Sequence, residues 1–173
     1  SRPIRWLVSV YNDEILDFNF DECDPKIVVG NLSKSHRLID RVIEINSPDN
    51  YFDILAENGV LVKREERKEK ITNFINQTSE SLNLKPDLSE KLLNELSDLV
   101  EFPNVITGKF DEEFLDLPVE VLSMVMKSHQ RYIPLLQKGN SFSKLDLSSE
   151  HIISTNFLLI SNGLQKSNNN IVK

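Results

Sequence analysis

The densest run of chemically useful side chains is Met126-Lys127-Ser128-His129-Gln130-Arg131-Tyr132-Ile133-Pro134. Lys127 and Arg131 can make charge-assisted hydrogen bonds to phosphate or carboxylate, and His129 can gain or lose a proton near neutral pH. Gln130 is both donor and acceptor, and Tyr132 offers a stacking face with a polar tip. Charge and aromatic surface side by side suit a nucleotide. The same residues also suit a brace, with Met126 and Tyr132 packed inward and Gln130 and Arg131 holding a neighbouring loop. A second polar run, Gly30-Asn31-Leu32-Ser33-Lys34-Ser35-His36-Arg37, sets small hydroxyls beside Lys34, His36 and Arg37. It either holds an anion or is a solvated loop in which Arg37 caps a carbonyl or pairs with Asp40.

Other chemistry finds no support. The glycine-rich phosphate loops and the Gly-x-Ser-x-Gly nucleophile turn are absent. His36, His129 and His151 lie far apart in sequence, and one cysteine does not complete a zinc set. Cys23 sits among Asp21, Glu22 and Asp24, which disfavour a thiolate nucleophile. Glu112-Glu113 and Asp21-Glu22 are adjacent pairs, read as solvated acids at element ends. The 173 residues are 39% apolar and 27% charged, ordinary for a globular chain of about one domain. A lone cysteine fits a reducing compartment. No run of about 18 apolar residues predicts a membrane span. The formal charge of −7 argues against a free-standing nucleic-acid-binding domain, and DNA is not expected as a partner. Any RNA contact is expected through a local patch. Ser1-Arg2-Pro3 looks like the start of a segment excised from a longer chain.

The elements that must position these residues follow from periodicity and breakers. Residues 4–10 and 14–20 read as a β-hairpin around Tyr11-Asn12-Asp13, with a short strand at 27–29. The polar loop leads into an apolar run at 38–45. Asn46-Ser47-Pro48-Asp49 starts a helix carrying Tyr51, Ile54 and Leu55, stopped by Asn58-Gly59. Lys63 to Lys70 holds five basic and three acidic residues and opens a long amphipathic helix, with Glu66 and Lys70 as an i, i+4 pair. That face is either solvated or an RNA-backbone contact. Lys85-Pro86 breaks the helix, and Asp87-Leu88-Ser89-Glu90 reads as a capping box with Asp87 as N-cap. The stripe Leu88, Leu92, Leu93, Leu96, Leu99, Val100 reads as core. Strands are expected at 104–108, 132–136 and 152–160, and a helix from Pro118 to Met126, so the central cluster falls at a helix-to-strand junction. A loop covers 138–150. The result is an α+β fold with a mixed, mainly antiparallel sheet and a helical middle, one domain over 1–163, and a polar tail or linker at 164–173.

The central run resembles the beta subunit of the two-subunit, bacterial-type glycyl-tRNA synthetase, whose pattern there is approximately Met-Lys-x-x-Gln-Lys/Arg-Tyr-Phe-Pro. Arg2 to Leu7, His36-Arg37, Val100 to Pro103, Phe110 to Leu115 with Leu117-Pro118, and Leu159 to Gly163 follow the family in order. The family usually has Gly where this chain has Ser35, and an aromatic where it has Leu38. The resemblance implies a class II ligase that charges tRNA-Gly, in which the alpha subunit holds ATP, magnesium and glycine and no cofactor belongs to this segment. It implies the alpha subunit and tRNA-Gly as partners and a cytoplasmic setting. It makes Lys127, His129, Gln130, Arg131, Tyr132, His36, Arg37 and Asn162 candidates for tRNA or subunit contact, with no catalytic residue among them. The segment also looks like the editing domain of the phenylalanyl-tRNA synthetase beta chain. Two further readings are an editing hydrolase, with Lys127, His129, Arg131 or His36 orienting a water, and a structural spacer. Editing is disfavoured for glycine, because a tight pocket already rejects larger amino acids.

Overall fold

The computed structural model describes residues 4–16, 18, 20, 22–24, 26–138 and 153–163. Contacts divide the chain into two compact units, Ser1–Val62 and Lys63–Lys173. Each is α+β.

The first unit is built from short strand pairs. Strand β1 (Trp6–Val8) is followed by β2 (Val10–Tyr11) and β3 (Glu14–Ile15), which close an antiparallel hairpin. Asn12 takes a φ of 51 in its turn, a conformation Asn tolerates better than most residues. The expected hairpin thus exists, but much shorter. Trp6–Val8 pairs in parallel with β4 (Val28–Gly30) instead. The expected polar loop contains a strand, β5 (Leu32–Lys34), antiparallel to β6 (Val42–Glu44). A 3₁₀ turn at Pro48–Asn50 leads into helix α1 (Tyr51–Glu57). Gly59, with φ +78, follows the C-cap Asn58 and ends the helix as expected. The core of this unit is Ile43, Ile45 and Leu55, flanked by Val8, Tyr51, Ile54 and Val60.

In the second unit, helix α2 (Arg64–Ser81) precedes strand β7 (Leu84–Pro86), helix α3 (Glu90–Leu99) and strand β8 (Pro103–Lys109). Helix α4 (Val119–Met124) and strands β9 (Ile133–Gln137) and β10 (Ile153–Asn162) complete it. The strands form one antiparallel sheet in the order β7-β9-β10-β8. Successive residues of a strand face opposite sides. Ile133, Leu135 and Leu158 accordingly meet Ile71 and Ile75 of α2 and Leu92, Leu93 and Leu96 of α3. Leu136, Ile153 and Phe157 serve the other face, packed with Leu122 of α4 and Met126. Each fully buried Ile or Leu contributes about 1.5–3 kcal/mol.

Three local expectations are corrected. Lys85-Pro86 does not merely stop a helix: it lies in the edge strand β7, where a proline's missing N–H does no harm. The N-cap of α3 is Ser89, whose Oγ accepts from Leu92 N–H at 3.2 Å, and not Asp87. Glu66 pairs with Lys63 at 3.0 Å, while Lys70 lies over the Phe102 ring at 3.7 Å. Pro134 occupies a central strand, which proline normally avoids. The β9–β10 register shifts between Ile153↔Leu136 and Phe157↔Pro134, so proline falls beside a bulge in the ladder. The residues from 139 to 152, including His151 and the expected loop, lie outside the described set, as does 164–173.

Candidate functional site

The central cluster occupies the end of α4 and the turn after it. From Val125 to Gln130 the backbone widens into a single π-helical turn. Arg131 N–H donates to the carbonyl of Met126, and Tyr132 N–H donates to the same oxygen at 2.9 Å. Arg131 has φ 55 and ψ 34, the left-handed region, which costs a non-glycine residue about 1–2 kcal/mol. Such turns recur at functional sites.

What holds the turn is packing on both sides of it. Met126 is buried against Leu122, Leu136 and Ile153. Tyr132 stacks on Phe157 with centroids 4.5 Å apart and planes 18° from parallel, and Phe110 continues the stack beyond Phe157 at 6.4 Å. Phe157 stands opposite Gly108, where an added Cβ would lie 2.3 Å from the ring. Gly108 is therefore a steric requirement of the aromatic stack.

Electrostatics divides the polar side chains into two groups. Lys127 is half-buried and pairs with Asp87, whose Oδ2 also accepts from Ser123 Oγ–H at 3.4 Å. Asp87 N–H donates to the Pro134 carbonyl at 2.9 Å, so this residue ties the end of β7 to both α4 and β9. Asp87 is a member of the cluster that sequence reading missed. Nothing local marks it, because its partner lies forty positions away. Ser128, His129, Gln130 and Arg131 are exposed. Arg131 Nε is 3.5 Å from Glu95 Oε2 of α3, a pair nearly half open to solvent and weak for that reason.

The other candidates stand apart from this turn. Asn162 Oδ1 accepts from Glu101 N–H and Phe102 N–H, both at 3.0 Å, and thereby joins the end of α3 to the end of β10. It lies five residues along β10 from Phe157, or about 17 Å at the usual strand rise. His36 and Arg37 belong to the first unit. His36 is fully buried: its N–H donates to Asn58 O at 2.9 Å, its Nδ1 accepts from Leu38 N–H at 3.3 Å, and its carbonyl accepts from Ile39 N–H at 2.8 Å. Arg37 is exposed. The left-handed residue of this turn is Asp40, with φ 51, and Ser35 is not among the positive-φ positions. Ser35 Oγ instead accepts Arg41 N–H at 2.7 Å, so Ser in place of the family glycine adds a hydrogen bond without straining the backbone.

The mixed-charge start of α2 faces α3. Arg64 meets both oxygens of Asp98, at 2.7 and 3.1 Å, and Lys68 meets Glu90 at 2.8 Å. The hydrogen bond from Arg64 holds Asp98 below the usual carboxylate range, and that from Lys68 does the same for Glu90. These cations are engaged within the fold. Among the described residues no three His, Cys, Asp or Glu side chains gather to hold a metal ion, and no helix is long and apolar enough to cross a membrane.

A family model described as glycyl-tRNA synthetase beta subunit matches residues 1–173. A glycine–tRNA ligase beta subunit from Trichodesmium erythraeum is 42% identical over 163 residues, covering 94% of this chain and 22% of the relative. The protein of the same name from Clostridioides difficile is 37% identical over 140 residues, 80% of this chain and 20% of that one. The one from Natranaerobius thermophilus is 37% identical over 145 residues, with 83% and 20% covered. The chain thus spans about a fifth of the length of these curated relatives.

Proposed function

Because the chain belongs to the glycyl-tRNA synthetase beta subunit family, we propose that it supports ATP-dependent charging of tRNA-Gly by helping to place the tRNA, without holding the aminoacylation site. The observation that carries this reading is the exposed His129-Gln130-Arg131 edge on a π turn locked from behind by Met126, Tyr132 and the Lys127–Asp87 pair. A docking contact needs side chains presented outward on a rigid support, whereas an editing hydrolase needs them converging into a concave pocket. The exposure of His129, Gln130 and Arg131 favours docking. ATP, magnesium and glycine belong, in this reading, to the alpha subunit, and no step of the reaction is assigned to this chain's residues.

The experiment compares full-length beta subunits reconstituted with the alpha subunit, carrying either His129→Ala with Arg131→Gly or Lys127→Ala. Glycine at position 131 relieves about 1 kcal/mol of left-handed strain and gives back a similar amount as unfolded-chain entropy, so this variant keeps its fold. Its affinity for tRNA-Gly is expected to fall several-fold, with a salt slope shallower by about 0.7–0.9 for one phosphate no longer neutralised. Lys127→Ala strands a half-buried Asp87 and is expected to cost about 1–2 kcal/mol of stability, between the values for exposed and buried pairs, with little change in salt slope. Unchanged affinity and slope in the His129/Arg131 variant would sink the reading.

A further inference from the structure

The first unit carries a groove that the reading above leaves unused. It measures about 410 Å³, within the range small ligands occupy, and Trp6, Val28, Leu32, Val42, Arg5 and Lys34 line it. Strand alternation leaves Val28, Leu32 and Val42 facing outward, 61, 48 and 66% exposed, an apolar patch without cover. Lys34 Nζ stands 5.4 Å from the centre of the Trp6 ring. Among the described residues no carboxylate lines the groove, although the chain as a whole carries a charge of −7. The acid on the same strand pair, Glu44, accepts from Asn31 Nδ2 at 3.3 Å. A second hollow of about 470 Å³ shares Trp6, Leu7 and Ser33 with the first and reaches Tyr51.

We propose that this groove binds an unpaired nucleotide of an RNA strand, with its base against Trp6 and its flanking phosphates on Arg5 and Lys34. Charge complementarity carries the assignment. An aromatic wall beside two cations, with no acid among the described lining residues, matches a π-faced ligand with negative charge at its edge, and base-on-aromatic stacking beside a basic rim is how single strands are held. A purely apolar partner would leave Arg5 and Lys34 without counter-charges, and a free phosphate would leave Trp6 without a role. The proposal deepens the RNA-handling reading and rests on it for the choice of RNA.

The test uses the full-length beta subunit reconstituted with the alpha subunit. The probe is a fluorescein-labelled, unstructured single-stranded hexaribonucleotide, followed by anisotropy at several salt concentrations. Trp6→Ala is expected to weaken binding about tenfold or more, while Trp6→Phe, which keeps a ring, stays within about threefold of the parent. Arg5→Gln with Lys34→Gln alters exposed side chains only and is expected to flatten the salt slope by roughly 0.7 for each phosphate left without its cation. Should Trp6→Ala lower the melting temperature, the Arg5/Lys34 variant decides alone. An unchanged salt slope and affinity in that variant overturn the proposal. So does competition by uridine monophosphate or by inorganic polyphosphate equal to that of unlabelled RNA, since either makes the strand irrelevant. The His129/Arg131 variant runs alongside with tRNA-Gly: loss there with intact hexanucleotide binding at Trp6 variants removes this groove and leaves the turn, and the reverse pattern removes the turn and leaves the groove.

Discussion

Gly108 and Arg131 show how single backbone positions set the geometry of the candidate turn. Gly108 lies on β8, two strands from the β9 that follows the turn, yet any side chain there would meet Phe157 and disturb the surface on which Tyr132 stacks. Gly108→Ala is expected to cost about 1–3 kcal/mol by overpacking, measured as a lower urea midpoint with unchanged slope. Combining it with Phe157→Ala should recover part of that loss, and strict additivity of the two changes would show that the Gly108–Phe157 contact is not the cause. Arg131 holds a left-handed conformation that glycine would adopt more cheaply. Its guanidinium, nearly half open to solvent, is what a glycine would lack.

At the level of elements, α2 and α3 are joined by apolar side chains below and by ion pairs above. The pairs Arg64–Asp98 and Lys68–Glu90 are exposed, so each contributes little at neutral pH and less at high salt. Their effect has a definite pH sign. Asp98 and Glu90 are held below their ordinary values in the fold, so their contribution is present above the unfolded carboxylate pKa and is lost as pH falls through the folded one. Asp98→Asn should therefore flatten the acid limb of the stability curve below about pH 4 while leaving its slope near neutrality unchanged. Denaturant midpoints measured across that range test it, and an acid limb as steep as the parent's would refute the assignment. The sheet makes a comparable accommodation at Pro134, whose missing N–H is tolerated only beside the β9–β10 bulge.

At the scale of the whole molecule, the two units have separate cores and separate candidate surfaces. Among the described residues, the second unit buries nine apolar side chains in one cluster and four in another. The described residues of the first form a cluster of three. Lys63–Lys173 expressed alone is accordingly expected to unfold cooperatively with helix and sheet signals like those it contributes to the intact chain. A broad, non-cooperative transition would show that its core depends on residues 1–62. The charge of −7 limits non-specific RNA affinity, so contacts through His129 and Arg131 or through Arg5 and Lys34 must act as local patches.

Apolar periodicity located α1, α2 and the core face of α3, with Leu99 corrected from core to 56% exposed, and a continuous apolar run located the long strand β10, while the polar cluster between two apolar runs marked the helix-to-strand junction at Lys127–Tyr132. Family membership was legible from the order of short motifs for the same reason that they persist as strings: neighbours in sequence are neighbours in the turn. Tertiary structure alone decided the rest. The partner of Trp6–Val8, the strand at Leu84–Pro86, the tolerance of Pro134 and the recruitment of Asp87 to Lys127 all depend on residues brought together across the sheet, and propensity carries no information about such pairings. The widening of α4 into a π turn belongs to the same class. It arises because Met126 and Tyr132 must both reach one aromatic and aliphatic face, and only the folded sheet defines where that face lies.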